Sequence, residues 1–291
     1  MGGYRVTTAI DPKLQAIAEQ MVRERVEALA GSNVRNASLI ALDPRTGHVL
    51  AYVGSVDHGD QDPKVRGQFD VAGLGERQGG LHVQALHLSR GVAPRVHAVV
   101  DPVGRLDELC AAGSASVPAA ERVTDGIRRG SRERPVTMRQ AIRESMNVPA
   151  VKVASLVGVR ELAGAYQAVA NMGVRVRPTL IARVEDRHGR VVHGSARAAG
   201  TAAIAPQMAW LMRDMLKDTT GPATSSIFGS RTHIVRTAAL KTGTADDLRD
   251  VLAAGYVPQL LTAVWMGNSD NSEMQEGSRR RWGPACCGAS S

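Results

Sequence analysis

Residues 36–54, NASLIALDPRTGHVLAYVG, constrain the fold more than any other stretch of this chain. Two apolar runs are joined by Asp43-Pro44-Arg45-Thr46-Gly47, in which proline presets a turn and glycine supplies a positive φ, so the segment reads as a β-hairpin. Three more strand-like runs close the chain, at 236–244 (RTAALKTGT), 252–258 (LAAGYVP) and 261–267 (LTAVWMG). Their adjacency and short connections favour an antiparallel sheet. Helical patterns lie between the two sets of strands, and the chain is therefore expected to be α+β.

Residues 4–10 read as a short strand. Asp11 then caps a helix that begins at Pro12, with Leu14, Ile17, Ala18, Met21, Val22 and Leu29 recurring at helical spacing. Leu81, Ala85 and Leu88 share a face of a short helix over 81–90, and residues 100–135 read as a long loop or cover segment. Thr137 and Gln140 form a capping box. The helix they start stops near Asn147 because Pro149 disfavours helical geometry before it, which puts Ser145-Met146-Asn147 on a bend. A helix over 161–173 ends at Gly173, a second hairpin over 179–193 turns at His188-Gly189, and Pro206 opens a helix whose Met208, Met212 and Met215 are core filler.

The formal charge of +8 rests on 36 basic and 28 acidic residues, of which only Lys13, Lys64, Lys152, Lys217 and Lys241 are lysines. The arginines are scattered, Arg279–Arg281 being the one tight cluster, and aromatic residues make up 3%. That is a solvated surface rather than a nucleic-acid footprint, which would group its cations on one face. Cys110, Cys286 and Cys287 have neither disulfide-framework nor zinc spacing. Asp57, His58, Asp60 and Asp62 lack EF-hand spacing and read as a solvated loop. The glycines of 73–80 do not fit a nucleotide loop. No metal and no cofactor are expected. No apolar run reaches about 18 residues and no signal pattern opens the chain, so it is expected neither to span a membrane nor to export itself.

Residues 240–246, LKTGTAD, place Lys-Thr-Gly and a second hydroxyl after an apolar run, as serine acyl-transfer enzymes of the penicillin-recognising type do. With the opening TTAIDPKLQAIAEQ, the hairpin ASLIALDPRTGHVLAYVG, the stretch PVTMRQAIRESMNVPAVKVA and the end GYVPQLLTAVWMGNSDN, the sequence resembles the transpeptidase domain of class A (bifunctional) penicillin-binding proteins. The resemblance implies a penicillin-binding-protein/serine β-lactamase-like fold: a five-stranded sheet with helices on both sides beside an all-helical half, which looks shortened between Gly158 and Tyr166. It makes residues 4–272 one domain and residues 273–291 an irregular tail.

The same resemblance implies chemistry on the D-Ala-D-Ala end of peptidoglycan stem peptides, with β-lactams as mimics. It assigns Ser145 to proton relay, Asn147 to the substrate amide, and Lys241, Thr242, Gly243 and Thr244 to the terminal carboxylate and oxyanion. The first motif departs from the family pattern: in RQGGLHVQA (77–85), Leu81 stands at the nucleophile's place and Gln84 at the lysine's. Three residues before the five lysines lie Ile10, Gln61, Pro149, Asp214 and Ala238, so Ser-x-x-Lys occurs nowhere. Leucine offers no lone pair and glutamine no base near neutral pH.

The expectation is an acylation-defective transpeptidase-like domain of cell-wall synthesis. It would bind stem peptides or β-lactams, with no cofactor. Its partners would extend to other cell-wall synthesis proteins and the membrane surface, with an extracytoplasmic location. Two alternatives stand beside it: an active D,D-transpeptidase or carboxypeptidase with Ser145 as relocated nucleophile, and a basic nucleic-acid-binding protein.

Overall fold

The computed structural model describes residues 3–75, 159–194, 200–220, 236–244 and 248–275. Its strands are β1 (Arg5–Thr8), β2 (Asn36–Leu42), β3 (Val49–Val53), β4 (Val174–Arg175), β5 (Ile181–Glu185), β6 (Val191–Gly194), β7 (Thr201–Ala202), β8 (Ala239–Thr244), β9 (Asp250–Val257) and β10 (Leu260–Gly267). The helices are α1 (Pro12–Leu29), α2 (Val71–Leu74), α3 (Val159–Ala170) and α4 (Pro206–Leu216). The helical patterns expected over 81–90 and 137–147 lie outside the described residues.

Five strands form one antiparallel sheet in the order β3-β2-β10-β9-β8. The hairpin over 36–54 turns through Gly47 at φ +73, where an added Cβ would lie 2.7 Å from the Arg177 carbonyl oxygen. The last strand in sequence, β10, enters the centre of the sheet and joins the hairpin to the β8–β9 pair. Because side chains alternate across a strand, the sheet has two apolar faces.

One face carries Ile40, Leu42, Leu252, Ala254, Leu261, Ala263 and Trp265, packed with Val159, Leu162 and Tyr166 of α3 and Met212 and Met215 of α4. The other carries Ala37, Leu39, Ala51, Val251, Val264 and Met266 against Ala18, Val22, Val26 and Leu29 of α1. Each such large aliphatic side chain contributes roughly 1.5–3 kcal/mol on burial. Helices therefore cover both faces, as the resemblance implied, and the fold is α+β.

Local signals explain the helix starts. Asp11 Oδ1 accepts from the amides of Lys13 at 2.8 Å and Leu14 at 3.2 Å, with Pro12 at the first helical position. Ile17, placed by periodicity on the inner face of α1, is instead 47% exposed. It lies at the border of the stripe, one position from Ala18, and only Ala18, Val22, Val26 and Leu29 point squarely at the sheet. α4 starts at Pro206 and gives way to a 3-10 turn over Lys217–Thr220. Gly173, at φ +93, closes the segment after α3.

Two smaller sheets complete the described residues. The second hairpin, β5–β6, turns at Gly189 with φ +77 and pairs through β5 with β1, giving the order β1-β5-β6. β4 pairs with β7. Gln167 of α3 ties this region to the first hairpin: its side-chain amide donates to the Pro44 carbonyl, and its oxygen accepts from the Val176 amide at 3.0 Å. Residues 273–275 have no regular structure, yet Met274 is buried and its amide donates to the Leu248 carbonyl at 2.9 Å.

Candidate active site

β8 is an edge strand of the large sheet and presents Lys241, Thr242, Gly243 and Thr244 in succession, opposite Ala254, Ala253, Leu252 and Val251 of β9. Alternation puts Lys241 on the face of Ala239, Ala254 and Tyr256, toward the core shared with α3 and α4. Its side chain is 3% exposed, and Nζ donates to the Thr242 carbonyl at 2.5 Å. Thr242 faces the other way and is half-buried.

Burial pushes the Lys241 ammonium down to about 7, because desolvation disfavours the charged form. The amine is thus poised between its charged and neutral forms near neutral pH. In the neutral form it can accept a proton, and in the charged form it can hold a carboxylate.

Several polar groups that sequence patterning does not single out position this strand and its surroundings. Thr220 Oγ1, buried, donates to the Ala238 carbonyl at 2.7 Å and fixes the residue before β8 against the turn that ends α4. Tyr166 of α3 and Tyr256 of β9 lie in the same core, and burial raises both phenols. The Tyr256 hydroxyl has no hydrogen-bond partner among the described residues. Trp265 Nε1 donates to the buried Asp250 carboxylate at 2.6 Å, pinning β10 to β9.

By β3, at the other end of the strand order, Tyr52 Oη donates to Asp70 Oδ2 at 2.7 Å while the Gly73 amide donates to Asp70 Oδ1 at 3.0 Å. This pair anchors α2, the last described element before residue 76. A tyrosine and an aspartate 18 positions apart give no spacing signal, so the contact was not legible in the sequence.

Leu81, Gln84, Ser145 and Asn147 lie outside the described residues. Of the expected site, the structure describes Lys241, Thr242, Gly243 and the backbone of Thr244. The loop of Asp57, Asp60 and Asp62 spends its carboxylates on the amides of Gly59, Asp62 and Lys64. Among the described residues no group of three or more His, Cys, Asp or Glu could hold a metal ion.

Comparison with known proteins agrees with this geometry. Residues 159–280 match the family model of the penicillin binding protein transpeptidase domain. The chain is 27% identical to penicillin-binding protein 1A of Clostridium perfringens (strain 13) over 331 aligned residues, covering 95% of this chain and 47% of that protein. It is 26% identical to penicillin-binding protein 2D of Bacillus subtilis (strain 168), covering 93% of this chain and 42% of the relative. The chain thus spans about half the length of the curated relatives it matches. An alignment of 331 positions exceeds the 291 residues here, so the Clostridium protein carries residues with no counterpart in this chain.

Among solved structures, penicillin-binding protein PonA1 from Mycobacterium tuberculosis superposes with a TM-score of 0.65 at 20% identity, covering 94% of this chain and 78% of that one. Another structure of PonA1 is a complex with penicillin V. Penicillin-binding protein 1A from Haemophilus influenzae gives a TM-score of 0.66 at 14% identity, covering 92% of this chain and 63% of that one. With Lys-Thr-Gly-Thr on the edge of a five-stranded antiparallel sheet, these matches establish that the chain has the fold of a penicillin-binding-protein transpeptidase domain and is similar to the class A proteins of that family over nearly its whole length.

Proposed function

We propose that this chain is a transpeptidase-like domain of peptidoglycan synthesis that binds the D-Ala-D-Ala end of stem peptides, and β-lactams, without being acylated by them. The observation that carries the reading is the placement of Lys241-Thr242-Gly243-Thr244 on a strand at the end of the sheet order, with the amine buried and poised near neutrality. An edge strand can take an extended peptide as one more strand, with a cation and hydroxyls beside it for a terminal carboxylate. Penicillin V, bound in the PonA1 complex, is a ligand of the kind such a cleft would accept.

The acylation defect follows from sequence chemistry. With Leu81 and Gln84 in the first motif, no serine has a lysine one turn later to deprotonate it. Loss of the nucleophile from a comparable constellation costs about 10⁶ in rate. The depressed Lys241 amine favours a second reading, in which Ser145 attacks with Lys241 as its base. Other cell-wall synthesis proteins as partners, and an extracytoplasmic location at the membrane, belong to the first reading. Among the described residues, no helix is long and apolar enough to cross a membrane.

Incubation with a reporter β-lactam, followed by intact-mass and peptide mapping, tests both. The expected result is an unmodified chain that still binds a D-Ala-D-Ala peptide reversibly, with that binding lost in Lys241→Ala. A stable adduct mapped to Ser145 would replace the first reading by the second, and absence of peptide binding would remove both.

A further inference from the structure

Thr220 is buried, and its side chain reaches beyond its own turn. The hydroxyl lies 2.7 Å from the Ala238 carbonyl oxygen and 3.1 Å from that of Lys217. A hydroxyl has one proton to give, and the shorter contact, to Ala238, takes it. A bond to Lys217 alone would only finish the 3-10 turn that follows α4. The bond to Ala238 spans 18 positions and ties that turn to the residue before β8. Because the side chain is buried, bulk water does not stand in for this pairing, and losing it leaves a carbonyl short of a donor.

A second side-chain cap follows on the same strand, where Lys241 Nζ donates to the Thr242 carbonyl. Backbone groups along a strand turn to alternate edges, so the carbonyls of Ala238 and Thr242 share one edge, and the backbone of Thr244 shares it with them. Around Lys241 the sheet itself is low: Ala239 and Gly243 flank it on the same face, and Ala254 lies opposite. The cover over its side chain comes from α4 and the 3-10 turn, which pack on β8 and bring Met215 and Leu216 into the core. Thr220 bonds that cover to the strand.

We infer that Thr220 is a positioning residue for the peptide site proposed on β8: by holding the Ala238 carbonyl against the turn after α4, it sets where Lys241 and Thr244 stand. The peptide part of this inference rests on the proposed function, whereas the placement of the Lys241 amine does not. Thr220→Val keeps the outline of the side chain and removes the donor. The start of β8 then moves off the turn, and the Lys241 amine gains water. Thr220→Ser keeps the donor and preserves both.

The experiment follows the five lysines by NMR in chains labelled with carbon-13 at the lysine ε carbon, through a pH titration. The Lys241 signal, assigned by its loss in Lys241→Met, is expected to titrate at about 7 in the parent. In Thr220→Val its midpoint moves toward the ordinary lysine value of about 10.4, by at least about tenfold in acid constant, and in Thr220→Ser it stays within about threefold of the parent. Lys217, paired with Asp214 where α4 meets the turn, keeps its chemical shift at neutral pH because the turn stays folded. Affinity for a D-Ala-D-Ala peptide falls at least about tenfold in the valine variant and is kept in the serine variant. A Lys241 midpoint unmoved in Thr220→Val overturns the inference, whatever happens to the melting temperature. So does a Lys217 signal that moves along with that of Lys241, which would mark loss of the turn rather than of its bond to β8. A parent that binds no peptide overturns the proposed function and the peptide part of the inference, while the titration still decides whether Thr220 places the amine. If Thr220→Val does not fold, native-state hydrogen exchange of the parent takes its place: the amides of β8 and of the turn are expected to open as one unit, and separate opening overturns the inference.

Discussion

Lys241 shows what burying one amine does to the pH dependence of a fold. Its amine ionises near 7 in the fold and at about 10.4 in an unfolded chain. Between those values the unfolded chain holds a proton that the folded chain does not, so stability rises with pH across that window; below about 7 the full penalty of a buried ammonium is present. Lys241→Met is therefore expected to melt above the parent at pH 6, by at most about 5 kcal/mol in stability, with the gap closing toward pH 10. Melting curves at pH 6, 8 and 10 check this; a gap independent of pH would mean that the amine is not the source. The same variant should lose D-Ala-D-Ala binding. Sequence alone identifies the lysine by its motif but not its burial, which comes from the packing of α3 and α4 over that face.

At the scale of elements, one edge of the large sheet is closed by a single side chain. β3, at one edge, is closed by Gln15 of α1: Gln15 Oε1 accepts from the Tyr52 amide at 2.8 Å and Nε2 donates to the Tyr52 carbonyl at 2.9 Å. One side chain thus replaces a missing strand, and β3 cannot recruit another chain there. Gln15→Ala is expected to cost about 1–3 kcal/mol, as two backbone groups lose their partners, and to speed exchange of the Tyr52 amide; denaturant unfolding and hydrogen exchange measure the two effects. An unchanged Tyr52 amide would show the edge to be closed by other means. The capping of α1 by Asp11 and both hairpin turns were legible because each rests on residues close in sequence. The Gln15–Tyr52 bonds span 37 positions and leave no local pattern.

For the whole molecule, Leu81 and Gln84 in the stretch 77–85 bear on whether the chain can be acylated. Leu81→Ser with Gln84→Lys is expected to restore acylation by a reporter β-lactam, read as a mass adduct on residue 81, at a rate above that of the parent by orders of magnitude. A double variant that binds D-Ala-D-Ala peptide yet takes no adduct would show that residue 81 no longer faces the Lys-Thr-Gly-Thr edge. The sequence by itself determined the elements and their chemistry: strand against helix from periodicity, turns from Pro and Gly, and the absence of Ser-x-x-Lys from simple spacing. Only the tertiary structure decided the order β3-β2-β10-β9-β8, which lets a C-terminal strand pair with residues 36–42 across more than 200 positions. It alone put β8 and β3 at opposite ends of that order, buried Lys241, and set β1 beside the second hairpin as an exposed sheet. The physical reason is common to all of these: strand pairing and core burial reward contacts between segments far apart in the chain, and no local run of residues records which distant partner will be there.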